Sequence, residues 1–443
     1  MHHLRLSHSV RRYATSAPAS SHHKILIVGG GTAGISVAAQ IRSAFEAKGQ
    51  ALGAGDIGIV DPAQNHHYQP GWTLVGSGLS RKDDFKRSMT SVIPTGVTHH
   101  PVAVTSFSPT SNIITTPHAT LSYDYLVVAT GLKVNFSAIS GLETALRKSE
   151  SGVSSIYSYD TLDNVWRDIH RFREGKAIFT QPAGAIKCAG APQKIMWMAH
   201  STWKKSGVRD AIQITFATGA PSMFAVEKYS KALERLRQER RVEGLFTHNL
   251  TSIDADARVA KFTRPDGSTV EREYDLLHVV PPQGPLEVVS QSPLADAAGW
   301  VEVNPATTQH VKFKNIFSLG DCSSMPNSKT AAAITAQAPV LVHNLLAEMD
   351  GKQLNAVYDG YASCPLLTGH NELMLCEFKY GGVPDETFAW IAGSQDVPRS
   401  AFYHLKKHVL PRAYFGYHLH GRWFGCVRFF RPVIPTSVLT SCA

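Results

Sequence analysis

Lys24–Gly34 reads KILIVGGGTAG, and no other stretch of the chain limits the fold as tightly. A short apolar run of strand character feeds a glycine turn. ISVAAQIRSAF follows with the apolar spacing of a helix. Gly29, Gly31 and Gly34 satisfy G-x-G-x-x-G, the pattern that lets a pyrophosphate approach the backbone and rest on a helix N-terminus. Alone the pattern is weak. Here IGIVDP supplies the next strand, and Asp61 at its end is placed to hold a ribose hydroxyl. Asp61 lies farther from Gly34 than usual because Ala47–Gly55 reads as an inserted Gly/Ala-rich loop.

Two later segments extend the pattern. YDYLVVATG (Tyr123–Gly131) and IFSLGD (Ile316–Asp321) are short apolar strands ending in Ala-Thr-Gly and Gly-Asp. The set, in this order, resembles the two-dinucleotide-domain flavoproteins related to the disulfide reductases. That resemblance implies FAD at the first site, with Asp321 on the ribityl chain. A helix beginning near Thr330–Ala333 would aim its positive end at the flavin. Pyridine-nucleotide enzymes of that superfamily carry a second glycine fingerprint. Here KAIFTQP (Lys176–Pro182) runs into AGAIKCAGAPQK, where Gly184 and Gly190 do not form one. The expected fold class is α/β: two Rossmann-like dinucleotide-binding domains, the second degenerate and without an NAD site, plus a C-terminal membrane-contact region.

Six cysteines stand at 188, 322, 364, 376, 426 and 442, with no CxxC pair, so no zinc ribbon and no metal site is expected. Cys188 lies beside Lys187 and just ahead of a helix start marked by Pro192, and both features favour thiolate. On local chemistry alone an inert buried cysteine is an equal reading.

KCAGAPQKIMW, HHYQPGWTLVGSG (His66–Gly78), LGDCSSMPNSKTAAAI (Leu319–Ile334) and YDGYASCPLLTGHNELMLCEF (Tyr358–Phe378) resemble the mitochondrial sulfide:quinone oxidoreductase family. The likeness runs from about Lys24 to Gly381. It implies that Cys188 and Cys364 are the catalytic pair, bridged directly or through sulfur. Hydrosulfide would leave a persulfide on Cys364, and Cys188 would pass two electrons to FAD. Ubiquinone would reoxidise the flavin, and glutathione, sulfite or cyanide would take the sulfane sulfur. By motif, Gly29, Gly31, Thr32, Ala33 and Gly34 form the phosphate turn. Asp61 meets the adenosine ribose, Gln69 the flavin, and Val104, in the expected strand VAVTSF, the adenine. Asp321, Lys329, Ala331, Ala332, Ala333 and Ile334 surround the flavin ring and ribityl chain, though a solvated Lys329 is an equal reading. For Cys322 packing is favoured over a redox role, and Cys376, Cys426 and Cys442 read as packing or surface thiols.

The net charge of +9 is concentrated at the ends. Residues 1–20 carry three arginines, residues 398–443 carry seven lysines and arginines, and neither stretch holds an acid. The remaining 34 basic residues face all 35 acidic ones, so nucleic-acid binding is not expected. Residues 1–23 have the composition of a mitochondrial transit peptide. Phe402–Phe430 interleaves aromatics with bases, broken by Pro411, Gly416 and Gly421. It reads as a monotopic foot on anionic lipid, with a helical pair packed on the protein as the other reading. The expected organisation is a transit segment (1–23), an FAD domain (24–150 and 281–345), a second Rossmann-like domain (151–280), a segment carrying Cys364 (346–397) and the tail (398–443). The expected location is the matrix face of the mitochondrial inner membrane. An NADH:quinone oxidoreductase would need the missing second fingerprint, and a non-catalytic flavoprotein would need no cysteine pair.

Overall fold

The computed structural model describes residues 19–424. Cys426, Cys442 and the rest of the tail lie outside the described residues, as do residues 1–18.

The apolar run KILIV becomes the central strand of a parallel sheet. β1 (Ala19–Val28) leads through the glycine turn into α1 (Thr32–Ala47), then β2 (Ile57–Val60), β3 (Thr98–His100) and β4 (Ala119–Val128). Residues 48–56 form the expected loop between α1 and β2. β1 starts five residues before Lys24, which corrects the expected start of the folded body. Ser20–His23 pair in parallel register with Thr120–Tyr123. The buried His23 ring donates from Nδ1 to the Gly55 carbonyl at 2.6 Å and meets His100 Nε2 at 2.9 Å. A Ser-His run that looked like the end of a polar leader is held by this backbone ladder. VAVTSF is also corrected. Only its end lies in a strand, Ser106–Ser108, and Val104 sits in the connection before it.

The chain then crosses to a second unit. The outgoing strand Lys133–Val134 pairs antiparallel with the returning strand Gln283–Gly284, so the two crossings run side by side. Between them lie β5 (Val153–Ser154), α2 (Leu162–Arg171), β6 (Gly175–Gln181), α3 (Ala191–Lys205), β7 (Ile212–Thr218), α4 (Glu227–Glu239), β8 (Val242–Phe246) and β9 (Leu276–His278). Their sheet is wholly parallel, in the order β5-β9-β6-β7-β8. A parallel sheet fed by right-handed crossovers needs helices on its faces, and α2, α3 and α4 supply them. An antiparallel trio, Asn249–Asp254, Val259–Thr263 and Thr269–Glu273, lies beside it.

On its return the chain adds β10 (Ile316–Ser318) to the first sheet, whose parallel part then runs β3-β2-β1-β4-β10, while Ile113–Thr115 and Ser106–Ser108 extend it antiparallel from β4. α5 (Ala331–Met349) packs on α1. A hairpin follows, β11 (Ala362–Gly369) with β12 (Glu372–Phe378), and β11 lies against α3 of the second unit.

The tail departs from its expected form. Ser400–His404, Leu405–Val409, Leu410–Ala413 and Tyr414–His418 follow end to end as one helical run. Two π-turn segments widen it, which lets Pro411 sit inside without ending it. Phe402, Tyr403, Tyr414, Leu419 and Trp423 are buried against the body. The described part of the proposed foot is therefore packed on the protein. The physical reason is that its aromatic stripe finds apolar partners in the largest hydrophobic core. Among the described residues no helix is long and apolar enough to cross a membrane.

Candidate active site

The glycine turn has the shape its residue types demand. Gly29 has φ +111°, and a Cβ there would stand 2.3 Å from the Ala129 carbonyl oxygen. A Cβ on Gly34 would stand 1.8 Å from the Gly29 oxygen, so only glycine lets α1 begin here. Gly31 differs, since its missing Cβ would enter open space. That space is a cavity of about 480 Å³ lying where the two units, the hairpin and the tail meet. Gly31, Thr32 and Ala33 line it, with the α1 N-terminus behind them.

Most of the residues expected to hold a cofactor reach this cavity. Asp61 lines it while each of its oxygens holds a backbone N–H, Gly30 at 2.6 Å and Ala63 at 2.7 Å. Gln69, Asp321, Lys329, Ala331, Ala332 and Ile334 also line it. Gly29 and Gly34 shape the turn from behind. Ala333 is turned into the core, with its N–H taken by the Thr330 cap at 3.1 Å. Val104 does not line the cavity but packs at the edge of the first core. Lys329 is buried rather than solvated. Its Nζ donates to the carbonyls of Asp321 (2.7 Å) and Ser323 (3.1 Å) and lies 4.0 Å over the Trp300 ring. Burial pushes the Asp321 carboxyl up, and Lys329 and Lys187 pull it back.

The cavity fits a dinucleotide on two grounds. The cradle at Gly31 is one that any side chain would fill. Four buried polar atoms in the wall, His67 Nδ1, Trp72 Nε1, Thr130 Oγ1 and His418 Nε2, have no partner among the described residues.

Cys188 and Cys364 meet between the second unit and the hairpin. Cys188 adopts a left-handed φ of +56°, rare for a residue with a Cβ, and its N–H donates to the Lys329 carbonyl at 2.7 Å. The turn 187–190 therefore folds back onto the first unit. Cys364, on β11, brings its Sγ to 4.0 Å from Cys188 Sγ. Gly190 makes this approach possible, because a Cβ there would stand 2.4 Å from Cys364 Sγ. Both thiols are free. Cys188 lines the cavity, and Cys364 is buried between the lining residues Ser363 and Pro365.

The cation beside Cys188 is not the expected one. Lys187 Nζ points away, to Gln69 Oε1 at 2.7 Å, and lies over the rings of Trp72 and Tyr157. Lys194, in the second turn of α3, donates instead to Cys188 Sγ at 3.1 Å from a fully buried position. The hydrogen bond from Cys364 and the charge of Lys194 hold the Cys188 thiol well below its ordinary range, against the opposing effect of burial. Cys364, as the donor and buried, is pushed up. Burial disfavours the Lys194 charge, but the two sulfurs outweigh it and raise its pKa. Lys406, delivered from the tail, is buried in the same wall and reaches the Pro70 carbonyl at 3.3 Å. Burial and Lys194 bring its pKa down to about 7. A lysine six residues past a candidate cysteine, early in the helix that follows it, was the available signal for Lys194. For Lys406 the sequence carried none.

The other described cysteines are packing residues. Cys322 Sγ faces the carbonyls of Val128 and Leu319. Cys376 is fully buried opposite Cys364 in the hairpin, with its thiol pushed up by burial.

No family model matches the chain. Two curated relatives bear the name mitochondrial sulfide:quinone oxidoreductase. That of Schizosaccharomyces pombe is 46% identical over 435 residues, covering 95% of each chain. That of Dictyostelium discoideum is 45% identical, covering 93% of this chain and 89% of its own. The chain belongs to the mitochondrial sulfide:quinone oxidoreductase family. The crystal structure of a sulfide:quinone oxidoreductase from the bacterium Aquifex aeolicus superimposes with a TM-score of 0.71. It covers 89% of this chain and 91% of its own at 18% identity, which is a likeness of fold. Within this family member, Lys194→Met is expected to raise the Cys188 thiol pKa. The pH profile of its alkylation by iodoacetamide then moves to higher pH, and alkylation at the acidic end of the profile slows. Unchanged alkylation would show that Lys194 does not hold the thiolate.

Proposed function

We propose that this member of the sulfide:quinone oxidoreductase family oxidises hydrogen sulfide at Cys188 and Cys364 and delivers the electrons through FAD to ubiquinone. The observation that carries the reading is the sulfur pair, 4.0 Å apart under the Lys194 ammonium on the wall of the cavity that the glycine turn lines.

In the oxidised state the two sulfurs are bridged, directly or through one further sulfur. In the direct case hydrosulfide attacks the Cys364 sulfur, and the bond to Cys188 breaks. The products are a Cys364 persulfide and a Cys188 thiolate, which balances atoms and charge. Cys188 is the better leaving group because Lys194 stabilises its anion. A small nucleophile (glutathione, sulfite or cyanide) then takes the outer sulfur and leaves Cys364 as a thiolate. The bridge re-forms as the pair gives up two electrons. Bound FAD would accept those electrons and pass them to the quinone. Gly31, Thr32 and Ala33 would meet its diphosphate with backbone N–H groups, Asp61 its ribose, and Gln69, Asp321 and the α5 N-terminus its flavin end. The second unit has no glycine fingerprint after β6. That turn instead carries Cys188, which supports a domain without a nicotinamide site.

The family's mitochondrial members and the acid-free, arginine-bearing segment 1–23 support the matrix face of the inner membrane as the location. Peripheral contact is supported by Trp390 and Ile391, exposed at 82% and 62% on the short helical turn Ala389–Ala392 before the tail. The exposed His404, His408 and Arg412 lie on the tail helix that follows. Aromatic and aliphatic side chains beside bases suit an anionic headgroup layer.

The redox reading is tested by adding sulfide with sulfite as sulfur acceptor, or NADH, anaerobically to the flavoprotein, and then a short-chain quinone. Sulfide should bleach the flavin rapidly and the quinone should restore its colour, and Cys188→Ser or Cys364→Ser should abolish the bleaching. Bleaching by NADH and not by sulfide would replace it with an NADH:quinone reaction, and bleaching by neither would favour a non-catalytic flavoprotein. For the membrane contact, the double variant Trp390→Ser, Ile391→Ser should keep its flavin and lose flotation with anionic liposomes. Undiminished flotation would place the contact elsewhere.

A further inference from the structure

Tyr414 comes from the tail, yet it ends at the glycine turn. Its hydroxyl lies 2.7 Å from Thr32 Oγ1 and 2.6 Å from His66 Nε2. The other nitrogen of His66, Nδ1, is 3.1 Å from the Gly30 carbonyl oxygen. Tyr414 and His66 are each 3% exposed, and their rings are stacked.

The direction of this chain follows from what each group can do. The Gly30 carbonyl only accepts, so His66 Nδ1 carries the proton. Burial lowers the His66 pKa and keeps the ring neutral, so Nε2 accepts. The single Tyr414 proton therefore goes to His66, and the Thr32 hydroxyl must donate to Tyr414. The chain leaves the glycine turn at Thr32, passes through the tail, and returns at Gly30. Gly30 is fixed at both ends, since its N–H is held by Asp61. Two further contacts seat the tail on α1. Ser36 Oγ donates to the His418 carbonyl at 3.4 Å, and at Gly421 a Cβ would stand 2.9 Å from the Gln40 nitrogen.

We propose that Tyr414 is a positioning residue for the cofactor's diphosphate. It straps the tail over the glycine turn and engages the Thr32 hydroxyl, so the diphosphate is held by the turn's backbone N–H groups and is retained while the tail is docked. This rests on the FAD reading above. The tail, read from sequence as a foot for lipid, is then also the clasp of the cofactor site.

The test is the rate at which full-length holoprotein sheds flavin on dilution, followed by the fluorescence of free FAD. Tyr414→Phe removes both bonds of the hydroxyl and Thr32→Val only the one to Tyr414; each opens the link at Thr32 and should speed release about tenfold, the effect of a buried hydrogen bond lost with a stranded partner. Because both cut the same chain, the double variant should also release about tenfold faster, not about a hundredfold. Release within about twofold of wild type in the single variants would overturn the strap. So would multiplicative effects in the double variant, which would mean that the Thr32 hydroxyl serves the diphosphate directly. If Tyr414→Phe does not fold, the nearly isosteric Thr32→Val carries the same test, and wild-type release from it overturns the proposal. Wild-type protein that takes up no flavin would instead overturn the cofactor reading, and this proposal with it.

Discussion

The close approach of Cys188 to Cys364 is the constraint around which the molecule is arranged. The two residues are 176 positions apart and belong to different units. Bringing them to 4.0 Å requires a left-handed Cys188, a side-chain-free Gly190, a β-hairpin laid on α3, and a backbone bond from Cys188 to Lys329. Each of these departs from the glycine turn that a nucleotide-binding second domain would carry at the same place. The turn after β6 carries Cys188 where a second glycine fingerprint would stand. The Lys329 carbonyl anchors the sulfur turn to the segment that also leads into α5, whose first residues line the cavity.

Charge around the pair follows from burial. Lys194 is fully inside the protein, where an unpaired ammonium is costly, and the cost is offset by the thiolate it faces. Lys406 stands in the same wall with a much weaker claim on its proton. The sulfur site thus holds one firmly charged lysine and one that titrates near neutrality. Beside these two lysines an anionic substrate and an anionic leaving group can both be accommodated.

The sequence made legible those parts that depend on backbone geometry at specified residue types. Gly29 and Gly34 admit no Cβ, so their spacing announced the turn, and the Ala-Thr-Gly and Gly-Asp strand ends announced the same sheet. Cys188 and Cys364 were found by resemblance, since no spacing rule joins residues so distant. What stayed hidden was tertiary. Lys187 was the neighbour in sequence, but the left-handed Cys188 turns the thiol towards Lys194. The strand start at Ala19 lay in a Ser-His run whose composition carries no strand signal. The tail was ambiguous for a physical reason: aromatics interleaved with bases suit a lipid headgroup layer and a protein groove equally. In the described part the groove took the buried stripe, with Tyr414 and Lys406 reaching the cofactor cavity, while the exposed apolar pair stands just ahead, at Trp390 and Ile391.

The central claim is that the two cysteines have unequal roles, with Cys188 the stabilised leaving thiolate and Cys364 the carrier of sulfur. The most direct measurement is peptide mass spectrometry after one equivalent of sulfide is added anaerobically without acceptor and the sulfurs are trapped by rapid alkylation. This mechanism predicts the added sulfur on the peptide containing Cys364, with Cys188 alkylated as a simple thiol. Added sulfur on Cys188, or on neither residue, would contradict it.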